Sequence, residues 1–275
     1  MERELTMLSR LLDGAERPFA AILGGAKVSD KIKVLDNLLN KVDVLVVGGG
    51  MANTFLLALG RPVGKSLAEH DMVDEAKRIL ADAERKRVRV VLPADVVVAK
   101  EVTRGTEYKT LSSEKIPASW HIVDLGKQSL TAIEEALADV KTVFWNGPVG
   151  VFEIPSFAHG TNAIAGFLAD RAEHGTSVVV GGGDSVAALQ QQGLASKMTH
   201  ISTGGGASLE FLEGRELPGV AVLLDREPSP SPAKPTRAAK PASTKATKPA
   251  RPASGQKASP KAASSPATAT SRVRR

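Results

Sequence analysis

The sequence predicts an α/β fold: a doubly wound, mainly parallel sheet with helices on both faces, trailed by a basic tail. Three observations carry this. Six short apolar runs rich in β-branched residues alternate with helix-like segments. Four of those six runs end in Gly-Gly or Gly-Gly-Gly. From Pro228 onward the composition changes to Ala, Pro, Ser, Thr, Lys and Arg. Alternating strand and helix patterns indicate parallel strands covered on both sides. Ligands of such sheets bind beyond the carboxyl ends of the strands.

The elements follow in order. Residues 2–14 read as a helix, with Leu5, Leu8, Leu11 and Leu12 at helical spacing and Gly14 as the stop. The strand candidates are 19–23, 42–47, 88–92, 142–145, 177–180 and 198–203. The helix candidates between them are 29–39, 51–59, 68–84, 129–138, 156–172 and 184–192. Residues 94–99 can form a further strand, and 100–121 read as a charged surface excursion. Residues 207–225 hold an amphipathic turn at 209–212 and an apolar run at 219–224. The expected organisation is a linker helix at 1–17, an α/β domain at 18–226 and a disordered tail at 227–275. The tail lacks the apolar surface needed to offset the entropy of ordering.

Charge divides along the same line. The chain of 275 residues has 36 Lys/Arg and 30 Asp/Glu, a net +6. Eleven of the basic residues lie in the 48 residues from Pro228, where there is no acid. The body therefore holds 25 basic and 30 acidic side chains, a net −5. Asymmetry of this kind marks the tail as a separate interaction segment. With no Cys, disulfides and thiolate metal sites are excluded. The charged start MERELTMLSR lacks the apolar core of a secretory signal. No run approaches the ~18 apolar residues of a spanning helix. The expected location is cytoplasmic, with no membrane contact.

Four glycine-bordered motifs carry candidate chemistry. In 24–31, GGAKVSDK, a strand end opens a helix, whose N-terminal N–H groups suit an anion. Lys27 and Lys31, four apart, share a face if both lie on that helix. They either flank a polyphosphate or are solvated lysines beside Asp30. In 146–153, NGPVGVFE, Glu153 either accepts from ribose hydroxyls or caps a following helix. In GGGDS at 181–185, Asp184 is either an N-cap or a Mg²⁺ ligand beside phosphates. In 202–208, STGGGAS, hydroxyls and N–H groups either cradle phosphate oxygens or form a plain turn. Residues 60–66, GRPVGKS, imitate a P-loop but have three residues between the glycines where the motif needs four. That loop is read as structural, with Lys65 outside the phosphate site. The five histidines show no ligand-like spacing.

Taken in order, GGAKVSDK (24–31), VVGGGMANTFL (46–56), VGKSL (63–67), WNGPVGVFE (145–153), GGGDS (181–185) and STGGGASLEFLEG (202–214) resemble phosphoglycerate kinase, over residues 2–224. The resemblance implies a Rossmann-like nucleotide-binding domain serving reversible phosphoryl transfer between ATP and 3-phosphoglycerate, a step of glycolysis. It implies that Lys31 holds the phosphates of ATP/ADP and Lys27 stabilises the transferring phosphoryl group. Gly49 and Gly50 would lie near adenine, Asn146 near the phosphates and Glu153 at the ribose. Gly182, Gly183, Asp184 and Ser185 would meet the phosphates, with Asp184 on the Mg²⁺ side. Thr203 to Gly206 would close the transfer site, with Gly183 and Gly205 at the reacting centre.

Members of that family have an amino-terminal domain for 3-phosphoglycerate, and the resemblance here starts at what corresponds to the connecting helix. The expectation is therefore a kinase that uses 3-phosphoglycerate only when a separately encoded amino-terminal half supplies the substrate domain. The alternative is a non-catalytic ATP/ADP-binding remnant whose polybasic tail contacts nucleic acid weakly.

Overall fold

The structure is a computed structural model that describes residues 2–221. Within this span a six-stranded parallel sheet has the order β3-β2-β1-β7-β8-β9. Its strands are β1 (Phe19–Leu23), β2 (Val44–Val47), β3 (Arg89–Val91), β7 (Thr142–Asn146), β8 (Ser177–Gly181) and β9 (His200–Ile201). β1 is central, paired with β2 from Ala20↔Val44 and with β7 from Phe19↔Thr142.

The period-2 alternation of β1 splits the core in two. Phe19, Ala21 and Leu23 join α1 (Glu2–Asp13), α2 (Ile32–Leu38), α3 (Gly49–Ala58), α4 (Val73–Arg85) and α8 (Gly206–Leu212) on one face. Ala20 and Ile22 join α5 (Lys127–Leu137), α6 (His159–Glu173) and α7 (Gly183–Gln191) on the other. Both faces of β1, β2, β7 and β8 are therefore buried, which is why these strands read as continuous hydrophobic runs. α1 belongs to this body: Leu8 and Leu11 are 1% and 2% exposed against the first face.

Helices on both faces of a parallel sheet are what the sequence predicts, but the region 93–128 differs. It forms a second, antiparallel sheet of order β5-β4-β6, from β4 (Asp95–Ala99), β5 (Tyr108–Ser112) and β6 (His121–Leu125). The supposed surface excursion thus contains a strand and leads into another. The single helix expected at 29–39 is a 3₁₀ turn, Ser29–Lys31, running into α2. A short α9 (Pro218–Ala221) ends the described span. The tail and residues 222–224 of the apolar run lie outside the described residues. Among the described residues no helix is long and apolar enough to cross a membrane.

Candidate nucleotide site

All six parallel strands end on one edge, and loops 24–31, 48–50, 146–153, 181–185 and 202–206 leave from it. The strand order reverses between β1 and β7, so the crevice outside their carboxyl ends is the natural ligand position.

The loops at that switch point are locked to one another. Gly24 N donates to Asn146 O at 2.9 Å and Gly25 N to Pro148 O at 2.9 Å. Gly49 N donates to Val149 O at 3.1 Å. A β-carbon on Gly24 would stand 2.2 Å from Pro148 O, which forbids any side chain there. At Gly24 and Gly49 the close approach that the missing side chain permits is that of another loop. Around Gly183 and Gly205 the space within 4 Å is open.

Lys27 and Lys31 do not share a helix face. Lys27 is exposed and precedes the 3₁₀ turn, whereas Lys31 sits at the start of α2. The Lys31 Nζ turns back to the switch point, donating to Gly24 O at 2.6 Å and Asn146 O at 3.1 Å. Burial pushes its pKa down to about 8, opposed in part by Asp30 and Asp184. An ammonium has three donors, so two carbonyls leave one for an anion.

The expected anion site at the start of that helix is filled by the protein itself. The Glu69 carboxylate accepts from Val28 N at 2.6 Å, from Ser29 N at 3.0 Å and from the Ser29 hydroxyl. Burial alone would raise its pKa, but these bonds and nearby Lys27 hold it below the usual value.

Free donors gather instead at α7. Gly182, at φ +86°, is its N-cap, so Asp184 in the first turn is not, and it makes no capping bond. Val186 N is the first of the turn to find a carbonyl, Gly182 O at 3.1 Å, leaving the N–H groups of Gly183, Asp184 and Ser185 without intrahelical partners. The Ser185 hydroxyl accepts from Gly147 N at 2.7 Å, tying α7 to the loop after β7. Beside it, Ser202 N pairs with Val180 O at 2.8 Å, so the loop bearing Thr203 and Gly205, both exposed, emerges next to α7. Asn146 is 3% exposed. Among the described residues its Nδ2 has no hydrogen-bond partner.

A cavity of about 550 Å³ opens from this edge between the two sheets. Gly49, Gly50, Glu153 and Asp184 line it, with apolar walls that include Val96 and Val123. Glu153 is exposed and does not cap the next turn, whose N-cap is Ile154. Lys27, Lys31, Asn146, Gly182, Gly183, Ser185, Thr203 and Gly205 lie outside the lining. Lys65 is also in the lining. Its loop is anchored, by Lys65 N to Trp120 O at 2.9 Å and Ile122 N to the Ser66 hydroxyl at 2.8 Å.

The sequence reading missed Glu69 and Asp124. Glu69 acts on residues 40 and 41 positions away, so no local pattern announces it. Asp124 is buried in the cavity wall on β6 and bonds only to backbone. An acid inside an apolar strand was its one available signal.

A family model described as Phosphoglycerate kinase matches residues 1–215. The chain belongs to the phosphoglycerate kinase family. It is 55% identical over 226 residues to the phosphoglycerate kinase of Pelotomaculum thermopropionicum and 52% identical over 227 to that of Chloroflexus aurantiacus. Each alignment covers 82% of this chain and 57% of the relative, so the chain spans little more than half the length of these phosphoglycerate kinases. The solved phosphoglycerate kinase from Coxiella burnetii superposes with TM-score 0.77 at 42% identity, covering 80% of this chain and 56% of that one. The one from Pyrococcus horikoshii gives 0.70 at 34%, covering 80% and 55%. All the loops described above fall within the stretch matched to phosphoglycerate kinase.

Proposed function

We propose that this chain supplies the nucleotide half of a reversible phosphoryl transfer between ATP and 3-phosphoglycerate. The observation that carries the reading is the set of free donors around Asp184: three helix N-terminal N–H groups, the spare Lys31 proton and the orphaned Asn146 Nδ2. Such a donor set suits polyphosphate oxygens. The base and sugar would occupy the cavity, against Gly49 and Gly50, with Glu153 accepting from ribose hydroxyls. Gly182, Gly183 and Ser185 would hold the phosphates, while Thr203 and Gly205 would border the transferring group. Exposed Lys27 would reach it from the opposite loop.

Mg²⁺ fits the same edge. Among the described residues no cluster of three or more His, Cys, Asp or Glu is present. One exposed carboxylate, Asp184, suits a cation that takes its other ligands from phosphates and water. Bound there, Mg²⁺ would neutralise charge on the phosphoryl oxygens.

Turnover of 3-phosphoglycerate is proposed only with a substrate domain supplied. The test measures ATP consumption with Mg²⁺ and 3-phosphoglycerate, for the chain alone and with an added amino-terminal half of a relative. The expected result is a blank rate alone and turnover on addition. A blank rate in both, with ADP bound normally, would leave the second reading: an ATP/ADP-binding module. The charge asymmetry favours weak, non-specific nucleic-acid contact for such a module. Retention on DNA at low salt, lost on deleting 228–275, is its check.

A further inference from the structure

The cavity wall carries one side-chain amide that has no part in the reading above. Asn53, on α3, is 3% exposed and belongs to the cavity lining. It follows Gly49 and Gly50 by one helical turn, on the same face of α3. Its Nδ2 donates to Leu67 O at 2.9 Å. A backbone carbonyl only accepts, so this bond fixes which end of the amide is the NH₂ and which is the oxygen. Among the described residues no donor meets Oδ1. Yet Oδ1 is not one of the sealed, unpartnered polar atoms, which are Asn146 Nδ2, Arg171 Nε and Glu213 Oε2. The small accessible part of Asn53 therefore includes Oδ1, and the space it opens on is the cavity. Leu67 and Val102, 56% and 43% exposed, belong to the same lining. Apolar walls with one placed polar atom suit a flat heterocycle.

We propose that Asn53 is the specificity-determining residue of the base pocket: its Oδ1 accepts from the exocyclic amine of adenine, so the site selects 6-aminopurine nucleotides over 6-oxopurine ones. Lone pairs decide the choice. The adenine amine donates, and Oδ1 can only accept. A 6-oxo base presents a carbonyl at that position, which sets acceptor against acceptor. Turning the amide over would offer Nδ2 to that carbonyl but would set Oδ1 against Leu67 O, so the mismatch moves without being removed. Polar atoms left unpaired in a pocket cost affinity, and a pocket that hydrogen-bonds one base rejects the analogue that cannot answer. Lys65 is a competing donor in the same lining, but it is exposed to water.

The proposal rests on the nucleotide reading, and its test separates the two. ADP and inosine diphosphate, which differ only at C6 and N1 of the base, are titrated into the full chain with Mg²⁺ by calorimetry. ADP is expected to bind about tenfold tighter or more. Asn53→Leu should weaken ADP and bring the two affinities within about threefold of each other. Lys65→Met should keep the preference. Equal binding of the two by the wild type overturns the proposal, as does a preference that survives Asn53→Leu or is lost in Lys65→Met. A second arm needs no variant, so it decides even if Asn53→Leu does not fold. Purine riboside 5′-diphosphate lacks the amine without gaining a carbonyl, and should bind more weakly than ADP and more tightly than inosine diphosphate. Binding as tight as that of ADP overturns the proposal. If none of the three diphosphates binds, the nucleotide reading fails and the base preference falls with it. If all three bind alike, the nucleotide reading stands and only the role of Asn53 fails.

Discussion

Lys31 is the residue on which the electrostatics of the site turn. Its unfolded pKa lies near 10.5 and its folded value near 8, so between those values the unfolded chain binds more protons. Stability therefore rises with pH across that window, and the burial cost of the charged amine is fully present below about 8. A phosphate beside Nζ restores the favourable state of the ammonium. At pH 8.5, ADP binding should take up a proton, read as a buffer-dependent heat in calorimetry. Lys31→Met should abolish the uptake and weaken binding at least about tenfold, as for loss of a charge-assisted bond. A second residue-scale prediction concerns Arg87. It is the only non-glycine residue with positive φ, +60°, among the described residues. It closes α4 through Arg87 N to Glu84 O at 3.0 Å and Val88 N to Ala83 O at 2.8 Å, a position that favours glycine. Arg87→Gly should stabilise the chain by about 1 kcal/mol, seen as a higher urea midpoint with unchanged slope.

Among the elements, α1 is held at its polar end as well as by its leucines. Glu4 accepts from His200 Nε2 at 2.8 Å and from the Ser202 hydroxyl, which also meets Ser208. Burial raises the Glu4 pKa, but the bonds from Ser202 and His200 outweigh it and hold it low. Its contribution is thus complete above the unfolded value of 4.5 and is lost as pH falls through the folded one. Glu4→Ala should cost about 2 kcal/mol at pH 7, since the buried hydroxyls and imidazole lose their acceptor. Thermal melts from pH 7 to 3 should show that difference narrowing with acid.

The same scale shows what the sequence could reveal. β1, β2, β7 and β8 were legible because both their faces are buried, so apolar runs end where the loops begin. β5 was not: Tyr108–Ser112 is exposed at nearly every position and has no period-2 signal. β6 hid because Asp124 interrupts its apolar run. At the candidate site, Lys31, Asp184 and Glu153 could be proposed from the sequence because each follows a glycine turn. The Glu69 bond to Val28 and Ser29 was not, because that contact is created only by the fold.

In the whole molecule, a single sheet divides two apolar layers, and the layers share their strands. Ala20 and Ile22 serve one layer while Phe19, Ala21 and Leu23 serve the other. A cavity on either side therefore weakens both. Phe144→Ala and Trp145→Ala, on adjacent residues of β7, face opposite layers. Each should cost about 3–5 kcal/mol and should broaden amide exchange across the whole sheet rather than on one face.

The central position of β1 also sets an order in time. Phe19 pairs with Thr142, and Leu8 shares its layer with Leu212. β1 leaves the ribosome well before β7, the neighbour it must wait for, which is made more than a hundred residues later. Until then it has a partner on one side only, and an open apolar edge invites pairing with other chains. Nascent chains stalled before residue 142 should remain protease-sensitive, and those extended past α8 should become resistant. The hazard of this architecture thus falls during synthesis, when its most buried strand is still an edge.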